Sequence, residues 1–123
     1  MTIKNQKLED IMNNEERQQG YEPRLIKAYE YSKRKKLERL DFDEGTCRIE
    51  DFKRLSQNMD DLEIDEFTIS DRSIYLIEIL KDLESVGFKM EKVIEIPTGN
   101  KGYNEETDEE YTITKPALLI KRA

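Results

Sequence analysis

Histidine and tryptophan are absent from the 123 residues, and cysteine occurs once, at Cys47. The missing imidazole removes the side chain that titrates near neutral pH and the commonest metal ligand. Serine–histidine and cysteine–histidine machinery is thereby excluded, and one thiol leaves no thiolate zinc site and no disulfide within the chain. A lone cysteine points to a reducing compartment, and without an imidazole to activate it Cys47 reads as structural or incidental. The five glycines are scattered and form neither a GxGxxG nor a GxxxxGK phosphate loop. Apolar runs are too short for a signal h-region or a membrane span, so the expectation is a soluble, cytoplasmic protein with no membrane partner.

What is present is charge. Charged residues make up 40% of the chain and hydrophobic residues 36%, which predicts a small core under a heavily solvated skin. The net charge is −7, from 28 acidic and 21 basic side chains, and disfavours bulk attraction to nucleic acid or anionic membrane. A partner with a basic surface is favoured instead.

Along the chain, residues Lys4 to Gln19 pattern as a helix with a narrow apolar stripe of Leu8, Ile11 and Met12. Gly20 ends it, and Pro23 suits the first turn of a second helix expected to reach Leu40. From Tyr21 to Leu40 the chain carries seven basic and three acidic residues, including the run Lys33, Arg34, Lys35 and Lys36. From Asp41 to Glu66 the sign reverses, with ten acidic residues against Arg48, Lys53 and Arg54. There a turn at Asp43-Glu44-Gly45 leads to a short helix marked by Ile49, Phe52 and Leu55. A strand with a bulge near Asp65 follows, from the alternation of Leu62 with Ile64 and of Phe67 with Ile69.

Ser70 is the expected N-cap of the main helix, Asp71 to Val86, with Asp71 at the positive end of its dipole. Leu76, Ile79, Leu80, Leu83 and Val86 form its broad apolar face. Ile74 and Ile77 project to the other side, toward the N-terminal helices or toward another subunit. Gly87 caps the helix. A strand from Phe88 to Ile96, a long loop through Glu110 and a return strand from Tyr111 to Lys121 close the chain. Pro116 places that part of the return strand at a sheet edge or a bulge. The fold class is therefore α+β: one domain over residues 1–123, mainly helical over 1–58, packed on a β-α-β-β unit over 59–123 with a small, mainly antiparallel sheet.

Two metal motifs fail on spacing. Counting back from Gly45 puts Leu40 and Phe42 where a calcium loop needs oxygen ligands. No Glu is followed two residues later by Lys, as a metal-dependent nuclease of the Asp…Glu-x-Lys type requires. No cofactor and no metal site are expected, and the protein is read as a non-enzyme.

The stretch Glu84-Ser85-Val86-Gly87-Phe88-Lys89 through Ile96, with Pro116-Ala117-Leu118-Leu119-Ile120, resembles the closing helix and β-hairpin of class I methyltransferases. The Gly-rich strand-turn-helix that holds the methyl donor in that family is missing here. The resemblance implies a topology for the last third of the chain, ending in an antiparallel strand, and carries over no functional residue.

The acidic segments remain as candidate sites. Asp60, Asp61, Glu63, Asp65 and Glu66, and Glu105, Glu106, Asp108, Glu109 and Glu110 with Tyr103 and Tyr111 interleaved, make patches complementary to a basic cleft on another protein. In composition the chain is similar to phage or mobile-element inhibitors of bacterial defence nucleases, such as anti-CRISPR proteins. The expected function is binding, and inhibition or modulation, of a nucleic-acid-handling enzyme. The alternative is a small regulatory protein that contacts nucleic acid through Lys33, Arg34, Lys35 and Lys36. Self-association, as a homodimer through Ile74 and Ile77, is the further expectation.

Overall fold

A computed structural model describes residues 2–43, 46 and 48–123. The described elements run α1 (Gln6–Met12), α2 (Glu15–Gln18), α3 (Pro23–Arg34), β1 (Asp41–Phe42), α4 (Phe52–Asp61), β2 (Glu66–Ile69), α5 (Leu76–Ser85), β3 (Phe88–Asn104) and β4 (Glu109–Arg122). The four strands form one mixed sheet in the order β1-β2-β4-β3. β1 pairs parallel with β2, whereas β2–β4 and β3–β4 are antiparallel. The fold is α+β, and its last strand lies between β2 and β3, antiparallel to both.

Asparagine decides the N-terminal elements. One helix over Lys4–Gln19 is not what forms: Asn13 closes α1, and Asn14 opens α2 by accepting from the Glu16 and Arg17 amides. Short amide side chains compete for backbone groups in this way and favour caps over helix interiors. Asn5 caps α1 through the Leu8 amide at 3.1 Å.

The second helix also stops early, at Arg34 rather than Leu40. Lys36 takes a left-handed conformation, φ 57°, and the Leu37 amide donates back to the Ser32 carbonyl at 2.9 Å. This is the closure usually given to glycine. Leu37 and Leu40 are buried as expected, from an extended segment that leads into β1. The same device ends α4, with Glu63 at φ 58° and the Ile64 amide donating to the Met59 carbonyl at 2.9 Å. The following strand therefore begins at Glu66 rather than Leu62.

The main helix is shorter than its apolar pattern. It starts at Leu76, because Ser70 donates from its amide to the Phe42 carbonyl and from its hydroxyl to the Asp41 carboxylate. Asp71 instead accepts from the Ser73 amide and hydroxyl, which holds a turn before the helix. Ile79 and Leu83 are buried, with Leu76, Leu80 and Val86 packed at the margin of the core. That core is one cluster running from Leu8 to Ile120, and within it Phe67 meets both Phe42 and Phe88 edge to face, each at 5.3 Å between ring centres.

The expected loop over Thr98–Glu110 is mostly strand. β3 and β4 remain paired from Phe88↔Arg122 to Asn104↔Glu109, with register shifts between Met90 and Lys92 and between Pro97 and Lys101. Only residues 105–108 turn. β2 covers β4 from Leu118 to Lys121, so the rest of the hairpin is a two-stranded arm. At about 3.3 Å per residue, the arm carries Glu109 some 30 Å from Leu118. Pro116 lies just outside the β2 ladder, on a stretch of β4 bonded on its β3 side alone, where a missing N–H does no harm.

Candidate functional site

The arm carries the second acidic cluster. Its turn holds Glu105, Glu106 and Asp108, flanked by Glu109 and Glu110, and all five are exposed. Asp108 takes a left-handed φ of 56°, and the Asn104 side chain accepts from the Glu106 amide at 3.0 Å. Strand alternation puts Tyr103, Glu110, Lys101 and Thr112 on one face of the arm, and Tyr111 and Ile113 on the other. Tyr111 lies over Gly102, its strand partner, where an added Cβ would stand 2.2 Å from the ring. Val93, Tyr103, Tyr111 and Ile113 are all exposed large side chains on this hairpin.

The first acidic cluster has a different position. Asp60 takes the Arg122 guanidinium at 2.6 Å, and Asp61 accepts from the Tyr21 hydroxyl at 2.6 Å, a bond that raises the Tyr21 pKa. Glu66 faces Arg39 at 2.8 Å and Lys121 at 3.7 Å. The Asp65 carbonyl accepts from the Arg122 amide, and Glu63 supplies the left-handed turn after α4. These residues knit α4 and β2 to the rest of the molecule. Two of these carboxylates, Asp60 and Glu66, meet a cation within the chain, and Asp61 meets the Tyr21 hydroxyl.

The basic run is divided. Lys33 hydrogen-bonds Glu9 and, with the Tyr29 hydroxyl, holds that carboxyl below its ordinary pKa. Arg34 lies 5.9 Å from the centre of the Tyr31 ring, and Lys115 donates to the Tyr31 hydroxyl at 3.4 Å. Past the helix end, Lys35 lays its stem against Gly99 of the arm, and Arg34, Lys35, Lys36 and Lys101 line one cleft of about 380 Å³.

Ile74 and Ile77 are 87% and 79% exposed, and the N-terminal helices do not cover them. No group of three or more metal-ligating side chains occurs among the described residues, and no helix of theirs is long and apolar enough to cross a membrane. Cys47 and the Glu44-Gly45 part of the expected turn lie outside the described residues.

One polar centre escaped the sequence reading. Asp41, fully buried on β1, accepts from the Thr68 hydroxyl at 2.6 Å and the Ser70 hydroxyl at 2.7 Å, while its amide donates to Ser32 Oγ at 2.9 Å. Burial raises its pKa against the opposing effect of those two hydroxyls. Glu22 behaves alike: buried at the start of α3, it caps the Arg24 amide at 2.7 Å, and burial raises its pKa. Periodicity had no signal for either, since a buried carboxylate looks like any other acid in an acidic segment.

Fold and site together define a small α+β protein whose closing hairpin extends as an acidic-tipped arm. The chain belongs to the family described as a domain of unknown function (DUF7698), which matches residues 24–121 and so takes in α3 through β4 except the first residue of that helix and the last of that strand. No curated protein and no solved structure matches the chain.

Proposed function

We propose that this is a non-catalytic binding protein that seats the tip of its arm on a basic surface of a macromolecular partner, inhibiting or modulating it. The observation that carries this reading is the contrast between the two acidic clusters. Asp60, Asp61 and Glu66 have partners within the chain, whereas the tip has one weak pairing, Lys101 to Glu110 at 3.9 Å between two exposed side chains. Unanswered charge at the end of a long arm steers association with an oppositely charged surface, and Tyr103 adds an anchor beside it. The compositional similarity to phage and mobile-element inhibitors favours a nucleic-acid-handling enzyme, whose cleft is basic, as the partner.

A photo-crosslinking phenylalanine analogue placed at Tyr103, in the organism that makes the protein, tests this. The expected result is one discrete crosslinked protein from position 103 and none from a control at Lys89. Equal, diffuse crosslinking from both positions would remove the arm as the contact.

A further inference from the structure

We infer that the cleft between the end of α3 and the arm binds the di- or triphosphate group of a small ligand of nucleotide size. Arg34, Lys35, Lys36 and Lys101 converge on it from two elements that are far apart in sequence. Lys33 and Arg34 lie in the last turn of α3, and Lys35, its C-cap, and Lys36 follow at the same negative end of the dipole, so the whole run gathers where the helix carbonyls end. Lys35 and Lys36 make no ion pair with any described residue. Lys101 has only the weak Glu110 pairing at 3.9 Å, so most of the positive charge gathered in this concavity, in a chain with net charge −7, is left for an anion to answer.

The backbone around the cleft is also irregular on both sides. Lys36 holds a left-handed φ of 57°, Gly99 one of 87°, and the β3 register shifts between Pro97 and Lys101. A non-glycine residue at positive φ carries strain, and bulges re-aim side chains beside binding sites. An added Cβ at Gly99 would stand 2.6 Å from Lys35 Cδ, so the glycine lets the lysine stem cross the arm. Next to this basic lobe, a second cavity of about 510 Å³ shares Lys36, Pro97 and Thr112 and adds the apolar walls of Leu37 and Ile96. The second cavity is also lined by Glu38, Arg39, Glu95, Thr68 and Thr114, so it offers polar as well as apolar contacts to the body of a ligand whose phosphates sit in the first lobe.

The surroundings set the size. Glu38 and Glu95 stand at the second cavity, and the acidic tip begins beyond Lys101. A long polyanion threading the cleft would run into carboxylates at both ends, whereas a short phosphate chain would not.

The test is calorimetric titration of the full chain at low salt with inorganic tripolyphosphate, ATP and a twenty-nucleotide single strand. Tripolyphosphate and ATP are expected to saturate one site. Lys36→Gln with Lys101→Gln should weaken both by about tenfold or more, as loss of charge-assisted hydrogen bonds does, while Lys89→Gln with Lys92→Gln should leave both unchanged. If the cleft pair lowers the melting temperature, Thr112→Glu, which brings a carboxylate into the cleft from an exposed strand position, takes its place with the same expectation. Absence of saturable tripolyphosphate binding, or equal loss in cleft and control variants, overturns the inference. Oligonucleotide binding tighter than ATP and lost with the cleft lysines overturns it in favour of nucleic acid. The arm-tip reading is tested separately: although Lys101 pairs weakly with Glu110, that reading is judged by partner crosslinking at Tyr103 and by reversal of Glu105, Glu106 and Glu109, and this one by phosphate titration.

Discussion

Arg122, the last residue of β4, is the test case for what holds the hairpin to the helices. Its Nη1 donates to Ser56 Oγ at 2.8 Å and to the Val86 carbonyl at 3.3 Å. Its Nη2 donates to the Ser56 carbonyl at 3.1 Å and to Asp60 at 2.6 Å, and the guanidinium stacks 4.0 Å from the centre of the Phe88 ring. One planar fork thus joins α4, the end of α5 and the core rings. Each hydrogen bond from a charged donor contributes about 1.5–3 kcal/mol when isolated, but these share one partly exposed group and do not add. Stacking on Phe88 adds about 1 kcal/mol. Arg122→Ala should therefore cost about 3 kcal/mol, a large part of the 5–15 kcal/mol typical of a domain. At roughly 4 °C per kcal/mol for a chain of this size, the melting temperature should fall by about 12 °C in a circular-dichroism melt. Arg122→Lys keeps the charge without the fork and should recover less than half of the loss. Asp60→Ala, at an exposed partner, should cost under about 1 kcal/mol. An Arg122→Ala protein melting within about 4 °C of wild type would refute the assignment.

Three further outcomes follow from other parts of the molecule. Burial raises the folded-state pKa of Asp41, so its contribution to stability is full below the unfolded Asp pKa and is lost as pH rises through the folded one. Urea melts at pH 7 and pH 4 should accordingly show wild type gaining on Asp41→Asn as pH falls, and a pH-independent difference would contradict the burial argument. Ile77→Glu should keep the fold and cost no more than about 0.5 kcal/mol, as at other exposed positions; sedimentation reports whether it also dissolves a dimer, and cooperative unfolding lost at 25 °C would mean that Ile77 is core. Gly102→Ala must displace Tyr111 and should speed amide exchange over residues 101–112 while leaving α5 protected; uniform exchange rates across both proteins would show that the ring does not order the arm.

The parts of the fold legible in the sequence were those governed by period and by glycine or proline. The apolar face of α5, the Gly87 turn at φ 96° and the closing hairpin all follow from such signals. What misled were devices that carry no composition of their own. Lys36 and Glu63 close helices in the conformation that usually marks glycine, so the pattern ran on through both ends. β1 is two residues long, too short to alternate, and it pairs only through contacts that chain spacing cannot reveal. Pro97, Thr98, Gly99 and Asn100 are turn residues and favour a loop in sequence, yet they form a bulge and pairing resumes at Lys101. Among the candidate sites, the sequence located both acidic clusters but could not tell that the first is occupied by Arg122, Tyr21 and Arg39, which arrive from distant segments. It likewise placed Lys33 to Lys36 on one helix, whereas the turn at Lys36 directs part of the run toward the arm.

The most direct measurement of the central claim is the affinity of the crosslinked partner for two charge-reversed proteins, read at low and physiological salt. Glu105→Lys with Glu106→Lys and Glu109→Lys should weaken binding and slow association, and most of the salt dependence seen with wild type should disappear. Unchanged affinity in that variant, with loss instead in Asp61→Lys and Glu63→Lys, would contradict it.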